Sequence, residues 1–109
     1  MEAKTSQEFF DKILRSKFRP DRAKGINVTV QVNISGPKGG DWTVDIKEEK
    51  MQIRNGNHDS PDLTIGMADS DFLDLVNDRL NVQKAFFTGK IRFKGDIGLA
   101  LRLKDTGFL

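Results

Sequence analysis

The stretch from residue 26 to residue 34, Ile26-Asn27-Val28-Thr29-Val30-Gln31-Val32-Asn33-Ile34, decides the fold because apolar and polar residues alternate along it without a break. Successive side chains of a β-strand point to opposite faces of the sheet, so the apolar residues of this stretch share one face. The pattern predicts strand one over residues 26–35, with one buried face. The same alternation in shorter runs predicts strands at residues 41–48, around Met51 and Ile53, and at residues 62–67 and 90–94.

Turn and cap residues divide the rest of the chain into helices and loops. Short turns at residues 36–40 and 48–50 separate the first three strands and predict an antiparallel meander. The run Thr5-Ser6-Gln7-Glu8 has the spacing of a capping box, which predicts a helix that begins near Thr5 and ends before Pro20. Asp69-Ser70-Asp71 predicts the capped start of a second helix. A helical turn ending at Gly89 and a last helix over residues 97–104 follow.

A sheet with one apolar face must be covered, and these helices are long enough to cover it. The sequence therefore predicts a two-layer α+β fold. At 109 residues the chain is expected to form one domain over residues 1–109. It has no cysteine, no run of about 18 apolar residues that would span a bilayer, and no apolar secretory stretch at its start. Its net charge is only +2, and no five like charges are consecutive, so nucleic acid is not expected as a partner.

The helices carry more apolar surface than a one-sided sheet needs. At about 100° per residue, the apolar residues of the first helix cover roughly 180° of its surface, which is wider than an ordinary core-facing stripe. The last helix has apolar residues around most of its circumference. Phenylalanine supplies eight of the nine aromatic residues, and its ring has no polar group to satisfy when buried. We interpret the surplus as a surface that binds a lipid, with ordinary core packing as the alternative for each residue.

Three motifs in the second half of the chain resemble a known family. They are Ala68-Asp69-Ser70-Asp71-Phe72, Gln83-Lys84-Ala85-Phe86-Phe87-Thr88-Gly89-Lys90-Ile91 and Lys94-Gly95-Asp96. They resemble the carboxy-terminal half of the sterol carrier protein type 2 domain (the SCP2 sterol-binding domain). Trp42-Thr43-Val44-Asp45 and the leading amphipathic helix resemble its first half more weakly. The resemblance implies a five-stranded, mostly antiparallel sheet, covered on one face by about four to five helices, with a hydrophobic tunnel between the layers.

The resemblance also implies a function without a catalytic centre, cofactor or metal. Members of the family bind and transfer fatty acids, fatty acyl-CoA, sterols and other lipids. The expected lipid-binding residues are apolar residues of the predicted helices and of the closing end of the chain: Phe9, Phe10, Ile13, Leu14, Phe18, Leu73, Val76, Leu80, Phe86, Phe87, Ile97, Leu101, Phe108 and Leu109. The expected headgroup-binding residues are Arg15, Arg19, Arg22 and Lys24, since arginine holds carboxylate and phosphate through two hydrogen bonds. A solvated helix end is the alternative for these cations.

The chain departs from the family pattern at three places. Gly107-Phe108-Leu109 is not the small-basic-Leu peroxisomal signal, so a cytoplasmic location is expected. Asp78-Arg79 stands where a Gly-Lys pair is common, and Asn81-Val82 stands where Asn-Pro is common. No thiolase or dehydrogenase segment accompanies the domain, so a free-standing carrier is expected. We expect a monomer, with a dimer as the alternative, and transient contact with a membrane surface.

The alternatives to lipid transport are an interaction module, a hydrolase, and nucleic-acid binding through the basic turn and strand five. An interaction module that binds a lipidated or amphipathic partner would use the same apolar surface. A hydrolase would need His58, but this histidine lies in a loop of Asn, Asp, Gly and Ser, and no Gly-x-Ser-x-Gly nucleophile motif occurs. The glycine-rich run Gly36 to Gly40 lacks the Gly-Lys-Ser/Thr ending of a phosphate-binding loop and joins two predicted strands, so we interpret it as a hairpin.

Overall fold

A five-stranded mixed sheet lies at the centre of the computed structural model, which describes residues 2–107. The strands are β1 (Val28–Ser35), β2 (Gly40–Lys47), β3 (Lys50–Asn55), β4 (Leu63–Ala68) and β5 (Arg92–Gly95). Their order across the sheet is β3-β2-β1-β4-β5.

Three of the strand pairs are antiparallel and one is parallel. β1, β2 and β3 form the predicted meander, and β5 pairs antiparallel with β4. The chain then crosses from β3 at one edge to β4 beside β1, and this pair is parallel. In the register, Val32 of β1 lies between Trp42 of β2 and Ile65 of β4, so these residues share the apolar face. The predicted α+β class with a mostly antiparallel five-stranded sheet is confirmed.

Four helices accompany the sheet. The first, α1, runs through Ser6–Glu8, Phe9–Ile13 and Leu14–Lys17, and its middle segment is π-helical. The others are α2 (Asp69–Val76), α3 (Val82–Phe87) and α4 (Ile97–Lys104), and a 3₁₀ turn covers Pro20–Arg22. Within residues 2–107, no helix has the length and hydropathy needed to cross a membrane.

The cap of α1 lies where the sequence predicts it, and α4 has the predicted range. The Thr5 hydroxyl accepts a hydrogen bond from the backbone N–H of Glu8 at 3.0 Å, and the helix ends at Lys17, ahead of Pro20. The Asp96 carboxylate accepts hydrogen bonds from the N–H groups of Gly98 and Leu99, which caps α4. These contacts satisfy N–H groups that have no partner within the helix.

The predicted cap of α2 is wrong in its detail. Ala68 occupies the N-cap position and has no side chain that can accept a hydrogen bond. The Asp69 carboxylate instead accepts the backbone N–H of Lys38 at 3.0 Å, so it holds the β1–β2 turn against the start of α2. The acidic first turn predicted from the sequence is present, and it favours the positive end of the helix dipole.

The π-helical segment explains the wide apolar arc of α1. The N–H of Leu14 bonds the carbonyl of Phe9, five residues back, so each residue turns through less than the roughly 100° of an α-helix. Phe9, Phe10, Ile13 and Leu14 consequently all reach the core and are buried. Phe18, the fifth apolar residue of the arc, is half-buried against the same core. Whether the same residues also line a lipid site stays a prediction.

Four aromatic rings fix α1 to the sheet. Phe10 stacks on Trp42 of β2 with ring centroids 4.5 Å apart, and its ring lies 5.5 Å from that of Phe72 in α2. Phe9 contacts Phe10 and Phe72 edge-on at 5.3 Å and 5.4 Å. Such pairs contribute about 0.5–1.5 kcal/mol each beyond the area that they bury.

The carboxyl end of α2 contains a strained residue. The N–H of Asp78 bonds the carbonyl of Leu75, and the N–H of Arg79 bonds the carbonyl of Asp74 at 2.7 Å, which together form a Schellman motif. Asp78 has a φ of 62° and occupies the left-handed position that glycine prefers in this motif. This is the position at which the sequence departs from the family's Gly-Lys pair.

We expect the substitution Asp78→Gly to raise the free energy of unfolding by a few tenths of a kcal/mol to about 1 kcal/mol, because it removes the left-handed strain of a residue with a Cβ. Urea unfolding monitored by the fluorescence of Trp42 measures this change. Asp78→Ala is the matched control, and it should lower stability. A loss of stability in the glycine variant would show that Asp78 contributes more through its side chain than its backbone conformation costs.

Candidate functional site

Side chains of α1, β2 and β3 fill one end of the interior, between α1 and the apolar face of the sheet. Beneath α1, the side chains of Phe9, Phe10, Leu14 and Val44 are at most 1% exposed. β3 contributes Met51 and Ile53 to the same face, and both pack against the core. This part of the interior is already filled by the protein's own residues.

The other end of the apolar face is incompletely covered. α3 and α4 expose large hydrophobic side chains: Phe86 is 49% exposed, Phe87 86%, Ile97 57% and Leu101 63%. Ile97 and Leu101 are four residues apart and therefore form one stripe along α4. Leaving a side chain of this size in water forgoes about 1.5–3 kcal/mol that burial would provide.

Half-buried hydrophobic residues connect these exposed side chains to the core. They come from α2, the turn after it, α3, β5 and α4, and all pack against the buried cluster: Leu73, Val76, Leu80, Val82, Ile91, Phe93, Leu99 and Ala100. Phe93 pairs with Ile65 in the β4–β5 register, so it lies on the apolar face of an edge strand. We refer to Phe86, Phe93, Ile97 and Leu101 as the open apolar surface.

α4 is fixed to the body of the protein at its carboxyl end. Leu103 and Thr106 are buried, and the backbone N–H of Arg19 bonds the carbonyl of Thr106 at 2.7 Å. Gly107 lies so close to α1 that an added Cβ would collide with the carbonyl of Lys17. The exposed stripe of Ile97 and Leu101 therefore belongs to a helix that is held to the rest of the protein through Leu103, Thr106 and Gly107.

The predicted lipid-binding residues fall into three groups by burial. Phe9, Phe10, Ile13 and Leu14 are buried in the core, whereas Phe18, Leu73, Val76 and Leu80 are half-buried. Phe86, Phe87, Ile97 and Leu101 are exposed on α3 and α4. Phe108 and Leu109 lie outside the described residues. Apart from Phe18, which lies in a concavity beside β3, the second and third groups belong to α2, α3, α4 and the turn after α2, at the incompletely covered end of the sheet.

The predicted headgroup-binding cations are all exposed, as a headgroup site requires. Arg15, Arg19, Arg22 and Lys24 form no ion pair with any residue in the range 2–107. They follow the carboxyl end of α1, where the helix dipole favours positive charge.

The fold brings another cation to this group that sequence reasoning missed. The guanidinium of Arg102 in α4 lies 3.9 Å from the position of an added Cβ at Gly25, beside Lys24. The Arg19–Thr106 hydrogen bond brings the same two segments together. The sequence contains no local signal for this contact because it joins residues at opposite ends of the chain.

Two concavities stand out on the described part of the molecule. One, of about 490 Å³, lies between the end of α1 and β3, and it is lined by Arg15, Phe18, Pro20, Glu49, Lys50, Met51 and Gln52. The other, of about 600 Å³, lies on the polar side of β1, β2 and β3 and includes Asp45, Arg54 and His58. Neither lies between the sheet and α3 or α4, so the predicted interlayer tunnel stays a prediction.

His58 has a structural role in the loop after β3. Its backbone N–H donates to Gln31 Oε1 at 2.6 Å, and its Nδ1 accepts the backbone N–H of Ser60 at 2.9 Å. Gln31 also accepts from the Thr43 hydroxyl, so the loop is held against the polar face of the sheet. No group of three or more potential metal ligands occurs among the residues that the structure describes.

Among residues 2–107, the two groups with a shifted pKa belong to an ion-pair group outside α3 and α4. The hydrogen bond and charge of Arg79 lower the pKa of the Glu2 carboxyl. Hydrogen bonds to Glu2 and Asp74, at 2.8 Å and 3.2 Å, raise the pKa of Arg79. This group ties the amino-terminal segment to the end of α2, and it is separate from the open apolar surface.

Sequence comparison identifies relatives over most of the chain. A sequence model of the SCP-2 sterol transfer family matches residues 10–106. The chain is 43% identical over 70 residues to sterol carrier protein 2 from Homo sapiens, a match that covers 64% of this chain. The matched region is only 13% of the human protein's length.

Two solved structures from Aedes aegypti have the same fold over nearly their whole length. The crystal structure of Sterol Carrier Protein 2 Like 2 matches with a TM-score of 0.74 and 28% identity, covering 92% of this chain and 94% of that one. A solution structure of palmitated SCP2L2 matches with a TM-score of 0.73 and 26% identity, covering 90% of each chain.

We expect Gly107→Ala to destabilise the anchor of α4, because the new Cβ adds a collision with the Lys17 carbonyl to the strain of a φ of 86°. Gly89→Ala is the matched control, since Gly89 has a φ of 77° and open space around it. The control should cost about 1 kcal/mol of unfolding free energy and Gly107→Ala clearly more. Equal losses in urea unfolding would contradict the close packing of Gly107.

Proposed function

We propose that this chain, which belongs to the SCP-2 sterol transfer family, is a non-enzymatic carrier of fatty acids, fatty acyl-CoA or sterols. Lipid binding and transfer are the general functions of that family. The lipid binds without a covalent bond and inserts its hydrocarbon between the sheet and α3 and α4. The proposed ligand contacts are the open apolar surface and the half-buried Leu73, Val76 and Leu80. The ligand class agrees with the relative that is described as palmitated.

The observation that carries this proposal is the unequal cover of the apolar face. The end beneath α1 is packed by aromatic rings, whereas the end beneath α3 and α4 leaves Phe86, Ile97 and Leu101 about half or more exposed. A ligand that enters at this end gains the burial that the protein's own side chains do not provide. We therefore place the lipid beside β4 and β5, away from the aromatic cluster.

The burial of hydrocarbon is sufficient to account for binding. Each CH₂ group removed from water contributes about 0.8 kcal/mol, so a saturated sixteen-carbon chain gains on the order of 10 kcal/mol before ordering costs. A net gain near −8 kcal/mol corresponds to a Kd of about 1 μM. Because no specific polar contact is needed, we expect one site to accept several lipids of similar length.

We assign the polar end of a fatty acid or acyl-CoA to the basic group formed by Arg19, Arg22, Lys24 and Arg102. These cations are exposed, and the fold places Arg102 beside the segment that precedes β1. Guanidinium groups bind carboxylate and phosphate with charge-assisted hydrogen bonds. Arg15 lines the separate concavity next to β3, so we leave it outside this group.

The second candidate function is an interaction module that binds an amphipathic or lipidated partner. The exposed stripe of Ile97 and Leu101 favours it, since an apolar helix stripe also suits a protein partner. The two functions differ in whether a free lipid in solution binds to the isolated chain.

The deciding experiment offers a fluorescent fatty acid to delipidated protein and titrates the emission to saturation. We expect micromolar or tighter binding, and Leu101→Gln should weaken it roughly fivefold to tenfold because part of the hydrocarbon contact is lost. Lys47→Gln, a surface change on β2, is the control and should bind like the unmodified chain. No uptake by a folded, delipidated sample would overturn the carrier function, and capture of an acylated peptide alone would favour the interaction module.

The basic group is tested with a charged and an uncharged ligand of equal chain length. The double variant Arg19→Gln with Arg102→Gln should weaken binding of a fatty acid about threefold to tenfold. It should leave binding of the corresponding fatty alcohol unchanged, because the alcohol has no carboxylate to pair. Lys12→Gln with Lys38→Gln removes the same charge elsewhere and serves as the control. Equal losses for acid and alcohol would contradict a headgroup role.

A further inference from the structure

Phe87 is an exposed aromatic side chain that the proposed lipid site does not use. It is 86% exposed, far more than Phe86, and within residues 2–107 the aromatic ring that it contacts is that of Phe86, with centroids 6.2 Å apart. It ends α3, and the next residues form a turn through Gly89, around which nothing lies within 4 Å of an added Cβ. The ring therefore stands at a projecting corner of the molecule. Isolated surface phenylalanines are ordinary, so exposure alone assigns no role to it.

Two lysine residues, Lys84 and Lys90, flank Phe87 at this corner. Lys84 lies three residues before Phe87 on the same helix and therefore on the same side. Lys90 follows the turn, and its backbone N–H bonds the carbonyl of Ala85, which holds it next to α3. The Lys90 side chain is 46% exposed, and its ammonium group lies 3.9 Å from the Asp71 carboxylate. An apolar ring thus projects from a helix end that carries two accessible cations.

The part of the chain that contains Phe87 is also more basic than the part before it. Residues 82–107 contain six Lys or Arg and two Asp, which gives a net charge of +4. Residues 1–81 contain twelve Lys or Arg and fourteen Asp or Glu, which gives a net charge of −2. The segment that exposes Phe86 and Phe87 is therefore strongly basic in an otherwise slightly acidic molecule. A surface that joins an exposed aromatic ring to clustered cations is complementary to an anionic bilayer, with its negative headgroups above hydrocarbon.

A second copy of the chain fits this corner poorly. A two-fold dimer through Phe87 would place Lys84 and Lys90 of one copy against the same residues of the other, and such like-charge contacts are unfavourable. Nucleic acid would use the cations but would leave the ring without an apolar environment.

We infer that Phe87, with Lys84 and Lys90, is the point at which the protein docks on an anionic phospholipid bilayer. This rests on the proposed carrier function, because docking there directs α3 and the neighbouring open apolar surface toward the membrane that supplies or receives the lipid. The ring inserts at the level of the acyl chains, and the two ammonium groups pair with headgroup phosphates and carboxylates. Phe87, predicted from the sequence as a lining residue, is reassigned to the membrane.

The test measures cosedimentation of the full chain with vesicles of two compositions. One is phosphatidylcholine alone, and the other is an equal mixture of phosphatidylcholine and phosphatidylserine. We expect binding to the mixed vesicles that weakens as salt is raised, since ions screen exposed charges. Phe87→Ser should weaken it about tenfold through the lost insertion. Lys84→Gln and Lys90→Gln should each weaken it roughly fivefold. Lys12→Gln and Lys47→Gln remove equal charge elsewhere and should have smaller effects.

Fatty-acid titration without vesicles separates this inference from the carrier function. Phe87→Ser should take up fatty acid with the affinity of the unmodified chain. If it loses fatty-acid binding as well, Phe87 belongs to the ligand site and the docking role is wrong. If unmodified protein takes up fatty acid but does not bind the mixed vesicles, docking fails while the carrier function stands. A Phe87-dependent dimer in sedimentation would equally overturn the bilayer as the occupant of this corner.

Discussion

The placement of every other element depends on the stacking of Phe10 between Trp42 and Phe72. These three rings belong to α1, β2 and α2, so one contact sets the distance between the helical layer and the sheet. Phe9 closes the cluster edge-on, and the π-helical turn allows both neighbouring phenylalanines to point inward. This cluster fills the interior at one end, whereas α3 and α4 leave large hydrophobic side chains exposed at the other.

The division of the interior relates stability to function. A closely packed core provides stability, but a carrier also needs apolar surface that its own side chains leave uncovered. In this molecule the two requirements fall on different helices, since α1 is buried along one face whereas α3 and α4 expose theirs.

Much of the fold follows from local sequence signals, because each needs only neighbouring residues. The alternation through Val28, Val30 and Val32 predicts a one-sided strand, and Thr5 and Asp96 mark two helix starts correctly. The parallel β1–β4 pair and the π-helical segment depend on tertiary packing, which periodicity does not encode. The same difference between local sequence signals and tertiary contacts applies to the candidate site. Composition indicates apolar helices suited to a lipid, but the contact of Arg102 with the link before β1, and the difference in exposure between Phe86 and Phe87, need the folded chain.

The hydrogen bond from Arg19 to Thr106 has a consequence for synthesis on the ribosome. It joins positions 87 residues apart in the sequence, so the end of α1 acquires this partner only after α4 has been translated. Domains tend to fold as units, and incomplete chains expose surface that aggregates. A nascent chain that has emerged through β4 already displays the phenylalanines of its first helix, while the segment that locks this helix is still within the exit tunnel. Transient protection by a chaperone is therefore most useful between the emergence of β4 and the emergence of α4.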